Sequence, residues 1–536
     1  MMFYGVIFCS GAAILALELL ASRVMTPYFG VSLYIWTGIL SITLVALALG
    51  YWAGGRLTHR NASAGTASSR LVRLYALMPA AAALAIVAAC LVYPYAFAPL
   101  AAWSLLFGAF AACVLLLFAP LVLTSAMNPL LVAIDRAAGG DAAGDAGSGR
   151  VFFLSTVGSV AGVLITAFGL IPYLTNYTAV LLVALVLAVL SLAIAAFPPV
   201  PLPSRKAVLV TALAALGSAA VLMWQADAYT GRLGPVAYGG NTWRLEASLG
   251  SLFGTVKILR SEPAAESGRY ERIYFHDGIT QNTVDSTGAS MSFYTYALEG
   301  LARGYRPDMR DVLALGMGAG IVPMRLAAQG AAVDVVEINP VSLQVAQRFF
   351  GYDTTRARTH ITDARTYVRD CPRRYDVAIV DLFQGDGTPE YLVTRDFFHD
   401  LGRCLKPGGI AVFNTFADLE HPATYAHFLV TLKSELPHLA LYRPDWPNAV
   451  HINSFVVAAA APLPEKTSVV FDQVPARHRN VLWDMLAHPE PLTPRLFAGG
   501  KLVTDAHNAA AHDLALTEVI YRQAVVESIP APLLLN

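Results

Sequence analysis

The sequence predicts an N-terminal bundle of transmembrane α-helices, then a small antiparallel β domain, then a doubly wound, Rossmann-like α/β domain. Three observations predict it. Charge is segregated along the 536 residues: Leu74 to Ile134 and Val151 to Ser204 contain no Asp, Glu, Lys or Arg, whereas charged residues are frequent beyond Trp224. Residues 242–285 read as short strands around a glycine turn. From Val312 onward, apolar runs ending in glycine or an acid alternate with helical stretches, the pattern of a mostly parallel sheet. The expected domains are 1–225, 226–290 and 291–536.

A helix needs roughly 20 apolar residues to cross a bilayer, so each uncharged run holds at least two crossings, and a soluble protein with buried helices is excluded. Seven spans are expected, at about 3–24, 33–55, 75–95, 100–122, 151–172, 176–197 and 207–224. The N-terminus lacks a charged leader and a cleavage site, so its apolar run reads as a retained span. Arg56, His59, Arg60, Arg70 and Arg73 make one connection basic, 135–150 is rich in Gly, Ala and Asp, and Arg205-Lys206 marks a third. The connections near 96 and 174 carry no charge. Basic connections face the cytoplasm, which after seven crossings puts the C-terminal half outside. The cofactor chemistry below argues instead for a cytoplasmic soluble half on a bacterial inner membrane, and that is the expectation adopted. Pro120 to Ile134, with Asn128-Pro129, is where a missed or re-entrant segment would restore the parity. Glu18 and Arg23 lie in the first span, where ionisable groups are functional suspects. Arg23 snorkelling and Glu18 bonding a neighbouring helix is the preferred reading, since nothing else in the spans suggests a relay.

A net charge of zero and the lack of a basic stripe interleaved with aromatics exclude nucleic acid as a partner. Cys9, Cys90, Cys113, Cys371 and Cys404 form no CxxC or Cys/His spacing, so neither a metal site nor a disulfide framework is expected.

In the soluble half, TWRLEASL, FGTVKIL and RYERIYF read as strands, with Asp277-Gly278 as a turn and a helix near 293–303. VLALGMG, VDVVEIN, HIT, YDVAIVDLF and GIAVFNTF supply the strands of the larger sheet, and Pro340 starts a helix. Ligands of such sheets bind at the carboxyl ends of the strands. Gly316, Gly318 and Gly320 let the backbone pass beneath a nucleoside, Glu337 closes the second strand where an acid accepts ribose hydroxyls, and Asp363-Ala364 follows the third, where a carboxylate meets an adenine amino group. NAD is disfavoured because Ile321 occupies the place of the third dinucleotide glycine. The glycines, Asp363-Ala364-Arg365 and the Lys406-Pro407-Gly408-Gly409 turn fit an S-adenosyl nucleoside better.

Over nearly its whole length the chain resembles the membrane-fused bacterial members of the spermidine synthase (aminopropyltransferase) family. GAAILALELLASRVMTPYFG, Trp36 and LGYWAGGRL carry the resemblance first, then FGTVKI, HDGITQNT, LALGMGAG, VVEIN, TDAR, VDLFQGDGTPEYLVTRDFF, LKPGGIAVFN and LVTD. The resemblance implies a small β domain, a class I methyltransferase-like Rossmann domain, and transfer of an aminopropyl group from decarboxylated S-adenosylmethionine to an amine, leaving methylthioadenosine. It implies that Glu337 holds the ribose, Asp363 the adenine, Gln281 the sulfonium end, and that Asp381 stands beside the substrate. The soluble synthases carry their base three residues after that Asp, which here is Gln384 and cannot accept a proton. Ala319 replaces an Asp of the glycine motif, and Tyr294-Thr295 stands where the family has Tyr-His.

Asp386 is the leading substitute base, against the bland reading of an Asx-turn between two glycines. His276 is a second candidate, though such a histidine is more often structural, and Tyr294 and Tyr296 are candidate pocket walls. Loss of the amine-binding acids favours a rival enzyme, a lyase or cyclase releasing methylthioadenosine from S-adenosylmethionine itself. Methyl transfer, a silent binding domain, and a transporter with a nucleoside-sensing domain are the further alternatives. The expected substrate is S-adenosylmethionine or its decarboxylated form, with no metal. The expected partners are a small molecule (a polyamine among them) and the bilayer, with a homodimer left open.

Overall fold

The computed structural model describes residues 2–30, 33–61, 67–139, 144–198, 202–231, 234–264, 268–383, 387–418, 422–446, 451–508 and 521–535. The chain forms two compact units, Met1–Val236 with Gln523–Asn536, and Ala237–Arg522. These differ from the expected division: the small sheet shares a unit with the large one, and the last residues belong with the first unit.

The first unit is helical. Its helices are α1 (Met2–Phe29), α2 (Leu33–Asn61), α3 (Ala67–Trp103), α4 (Leu105–Cys113), α5 (Ala119–Ser125), α6 (Met127–Gly139), α7 (Gly144–Ile165), α8 (Asn176–Ala196) and α9 (Arg205–Trp224). Seven helical stretches among the described residues are long and apolar enough to cross a membrane. Pro120 to Ile134 falls within one such stretch, Leu105–Ala137, which has a π-helical turn at Val114–Phe118. Pro120 sits in the first turn of α5, where a missing N–H costs little.

α1 and α7 approach most closely through small residues. A Cβ added at Gly158 would overlap the Phe8 carbonyl, one at Gly162 the Ala12 carbonyl, and one at Gly11 the Ser155 carbonyl. Ser159 Oγ donates to Gly11 O at 3.0 Å across the same seam. Apolar lipid does not drive such helices together, so backbone-to-backbone packing of this kind supplies the contact.

The second unit opens on a five-stranded sheet in the order β1 (Val236–Tyr238), β2 (Asn241–Ser251), β3 (Gly254–Ser261), β4 (Glu271–His276), β5 (Ile279–Asp285), antiparallel from β2 to β5. The Asp277-Gly278 hairpin turn has both residues at positive φ. After α10 (Phe293–Tyr305) the chain alternates: β6 (Asp311–Leu315), α11 (Ile321–Ala328), β7 (Ala332–Glu337), α12 (Pro340–Phe349), β8 (Ala357–Ile361), α13 (Ala364–Asp370), β9 (Tyr375–Val380), α14 (Arg395–Cys404), β10 (Leu405–Asp418), α15 (Pro422–Glu435), β11 (His438–Tyr442), β12 (His451–Ala459) and α16 (Ala476–Ala487). The sheet order is β11-β12-β10-β9-β6-β7-β8, parallel from β6 to β10, with β12 antiparallel between β10 and β11.

Alternate strand residues feed opposite core layers. Val312, Ala314, Val333, Val335, Val377 and Ile379 face one layer with Leu298 of α10 and Leu482 of α16, while Leu313, Leu315, Val336, Ala378 and Val380 face the other with Phe398 of α14 and Leu429 of α15. Cys371, after α13, is bonded to Cys404, at the end of α14. The expectation of no disulfide is corrected here: the partners are 33 residues apart, brought together by two helices packing on one sheet face, and no short motif announces that.

Candidate functional site

β6 is the strand from which the chain winds outward in both directions, through β7 and β8 on one side and β9 and β10 on the other. Connections leave such a switch point in opposite senses and open a crevice at the carboxyl ends of the strands. Here the crevice is an open cleft of about 870 Å³ including its mouth, lined by Gln281, Tyr294, Gly316, Gly318, Glu337, Asp363, Ala364 and Asp381 together with Phe253, Tyr274, His276, Ile338, Tyr391 and Leu392.

The floor is the glycine turn after β6. Gly316 has φ +89°, and a Cβ there would overlap the Asp381 carbonyl of the neighbouring β9. Gly318, at φ +52°, lies beneath Asn282, whose Oδ1 accepts from Ala319 N at 3.1 Å. Gly320 is not among the lining residues. It caps α11 at φ +75°, and a Cβ would overlap the Tyr352 ring, so its part is to seat the helix.

Glu337 closes β7 with both carboxylate oxygens turned back on the turn: Asn339 N donates to Oε1 at 2.7 Å and Met317 N to Oε2 at 3.1 Å. Burial pushes this carboxyl above its ordinary range, opposed by those two N–H groups. Asp363 caps α13, its Oδ2 accepting from Thr366 N at 2.8 Å, while Tyr391 donates to Oδ1 at 3.3 Å. Thr366 Oγ1 also donates to Asp363 Oδ2, at 3.2 Å, so Oδ1 is the Asp363 oxygen with acceptor capacity to spare for a ligand.

At the inner end stand Tyr294 of α10, Gln281 of β5 and Asp381. Burial pushes the Asp381 carboxyl up to about 6, against a hydrogen bond from Asn414 that lowers it. Burial, then the Asp381 charge, holds the Tyr294 hydroxyl well above its ordinary value. Tyr296 is not a wall of this cleft: it turns into the core, donates to Ser290 O at 2.8 Å and stacks on Arg325, because it lies two positions along the helix from Tyr294. His276 does reach the cleft, with Nε2 3.0 Å from Phe253 O. Gln384 and Asp386 lie outside the described residues.

The loop that carries them is pinned where it is described. Arg365 Nη1 donates to Tyr391 O at 2.6 Å and to Thr394 Oγ1 at 2.9 Å, and Thr394 Oγ1 donates to Asp505 at 2.8 Å. Arg365 also pairs with Asp505, so TDAR, LVTRDFF and LVTD form one clasp. Asn282 and Tyr391 are among the lining or bracing residues that sequence reasoning passed over, with Phe253, Tyr274 and Ile338; these two stand inside motifs already singled out, next to Gln281 or on the 380–398 loop. The cleft thus presents acids and backbone amides at one end and a single buried carboxylate beside aromatic and amide groups at the other, suited to a ligand with hydroxyls, an amino-purine edge and a positive charge. Among the described residues no group of three or more His, Cys, Asp or Glu is arranged to hold a metal ion.

Residues 291–450 match the family model of the spermine/spermidine synthase domain. A polyamine aminopropyltransferase of Vibrio vulnificus is 34% identical over 136 residues, 24% of this chain and 44% of that protein. A spermine synthase of Arabidopsis thaliana is 32% identical over 153 residues, 27% of this chain and 42% of that protein. An N-terminal histidine N-methyltransferase of Emericella nidulans is 31% identical over 153 residues, 26% of this chain and 27% of that protein. The chain therefore spans less than half the length of these relatives. Among solved structures, the spermidine synthase of Thermotoga maritima aligns at 20% identity over 41% of this chain and 73% of its own, with a TM-score of 0.34.

Proposed function

We propose, on the premise that the chain is spermidine synthase-like across residues 291–450, that it is a membrane-bound transferase acting on an S-adenosylmethionine-type nucleoside. In this reading an amine nitrogen attacks the carbon next to the sulfonium, the C–S bond breaks with its electron pair moving to sulfur, and neutral methylthioadenosine leaves. The observation that carries the reading is Glu337 at the end of β7, held by two backbone N–H groups over the glycine turn, with Asp363 at the end of the next strand. Glu337 takes the ribose hydroxyls, Asp363 and Ala364 the adenine, and Gly316 and Gly318 allow close backbone approach. Gln281, Tyr294 and Asp381 surround the sulfonium end. Alignment in the cleft and exclusion of water supply part of the rate. The apolar helices anchor the enzyme in the bilayer.

A second reading is favoured by Ala319, Thr295 and Gln384, which stand where the resembled family carries amine-binding and base residues. In it no external amine is held, and S-adenosylmethionine is the sole substrate of a lyase or cyclase. Incubating the full chain with S-adenosylmethionine and with its decarboxylated form, each with and without putrescine, separates the two by product mass. An aminopropylated amine is expected. Methylthioadenosine without acceptor selects the lyase, and no methylthioadenosine under any condition rejects both.

A further inference from the structure

α13 starts from Asp363 of the cleft and α14 from Thr394, and the two helices are tied at both ends. At the cleft end Arg365 Nη1 donates to Thr394 Oγ1 at 2.9 Å. At the far end Cys371, just after α13, is bonded to Cys404, the last residue of α14, with Cα atoms 5.8 Å apart.

The two sulfurs are not equally placed. Cys404 is buried, whereas Cys371 is half-buried and lines an open cavity of about 610 Å³ including its mouth. Arg369, Arg373, Arg374 and Arg403 line it too, and Asp370 is the one acid among the lining residues. Arg373 is committed to Asp311 and Asp334, and Arg369 lies 3.9 Å from Asp370. Arg374 and Arg403 are exposed, and among the described residues neither has an acid partner. A cation at the carboxyl end of a helix offsets the macrodipole, which accounts for Arg369 and Arg403. It does not account for Arg374, which precedes β9 and belongs to neither helix. The cavity therefore keeps positive charge beside a disulfide sulfur open to attack.

We propose that Cys371 is a thiol-exchange site for a small thiol bearing a second negative charge, a carboxylate or sulfonate held by Arg374 and Arg403, and that opening the bond is felt at the cleft. The incoming thiolate bonds to Cys371 Sγ, and the S–S bond breaks with its electron pair passing to Cys404 Sγ, which takes a proton from water. One disulfide is lost and one is formed, so nothing beyond the thiol is consumed. Burial keeps Cys404 from being the sulfur attacked, because exchange depends on which sulfur a thiolate can reach. Once the far tie is open, α13 and α14 are held together by packing and the Arg365 clasp alone, and Asp363 at the head of α13 is held less firmly. This last step rests on the nucleoside reading above; the exchange itself does not.

The test uses the full chain and three thiols of one length: mercaptoethanesulfonate, mercaptoethanol and cysteamine, which are anionic, neutral and cationic. Each rate of adduct formation, read by mass, is divided by the rate of the same thiol with a small neutral disulfide, which removes differences in thiol pKa. The sulfonate should then be about tenfold faster than cysteamine at low salt, and the ratio should fall towards one at high salt. Arg374→Gln with Arg403→Gln should lower the sulfonate rate and leave the mercaptoethanol rate unchanged, which also shows that the variant is folded. Peptide mapping should place the adduct on Cys371. An adduct on Cys404, equal normalised rates for the three thiols, or a ratio unmoved in the double variant overturns the site. By calorimetry the exchanged protein should bind methylthioadenosine about fivefold more weakly than the unexchanged one. Equal affinity in the two forms overturns the coupling to the cleft. Failure of the unexchanged protein to bind methylthioadenosine is a separate result: it removes the nucleoside reading, and with it the coupling, while the thiol selectivity still decides the site.

Discussion

Asp363 performs two tasks with one carboxylate, and they can be separated. Its Oδ2 caps α13 through Thr366 N, and its side chain lines the cleft. Asp363→Asn keeps an oxygen for the cap, so thermal unfolding should be nearly unchanged while nucleoside affinity drops. Asp363→Ala loses the cap too and should cost about 1 kcal/mol in addition. Calorimetry and unfolding together check this; equal stability in both variants would mean the cap contributes nothing. At this scale the sequence was readable where chemistry and spacing coincide. Glu337 closes the apolar run VDVVE, about twenty residues after the glycine turn that ends the run before it, and Asp363 follows the short HIT segment. The amide chain on Asp381 was not readable, because Asn414 donates to it from 33 residues further on, Asn453 donates to Asn414 from another 39, and the three meet only through strand register. Nor could Tyr296 be told from Tyr294 without knowing which face of α10 meets the cleft.

At the scale of elements, the seam between α1 and α7 depends on glycine for close approach. Gly158→Leu should lower the melting temperature of the full chain in detergent, since its side chain meets the Phe8 carbonyl. Gly217→Leu on α9 is the matched control, because nothing lies within 4 Å of a Cβ there. Equal effects of the two would show that the loss comes from helix propensity or lipid contact. The apolar runs made these helices legible, but their pairing was not, since a bare hydrophobic pattern does not say which face meets which neighbour. In the sheet, Asp376 of β9 ties three strand starts. It accepts from Arg310 N and Asp311 N, both at 2.9 Å, and from Lys406 Nζ at 3.0 Å. Burial raises its pKa, but these bonds outweigh burial and hold the carboxyl below its ordinary range. A carboxyl depressed on folding stabilises the native state above its unfolded pKa and loses that contribution as pH falls through the folded one. Asp376→Asn should therefore flatten the acid limb of the unfolding profile and lower stability near neutral pH. An acid limb as steep as before would assign it to other carboxylates.

At the scale of the whole molecule, the distribution of basic residues along the chain bears on which side of a membrane the α/β unit would lie. Arg60 lies between the second and third candidate spans, and Arg56, Arg70, Arg73, Arg136, Arg150, Arg205 and Lys206 lie within the span ends that flank the connections after the second, fourth and sixth, whereas the connections after the first, third and fifth carry no Lys or Arg and Arg23 lies within the first span. Were all seven to cross a bilayer, the positive-inside rule would put the basic set in the cytoplasm and the chain would leave the seventh on the opposite side. Among the described residues there are seven such stretches, and Pro120 to Ile134 lies within the fourth, Leu105–Ala137. The Cys371–Cys404 bond agrees, because such bonds persist in oxidising compartments and are rare in the cytosol. We therefore propose the reverse of the expectation drawn from the cofactor: residues 237–522 face outward, and the nucleoside they take is an extracytoplasmic one. With Cys9, Cys90 and Cys113 replaced, a membrane-impermeant maleimide applied to intact cells should label Glu465→Cys on the α/β unit and leave Lys206→Cys untouched until the membrane is opened. Labelling of Lys206→Cys alone would place the α/β unit in the cytoplasm. It would also require an explanation for three basic connections on the outer face and a disulfide on the inner one, which makes the two-site comparison decisive.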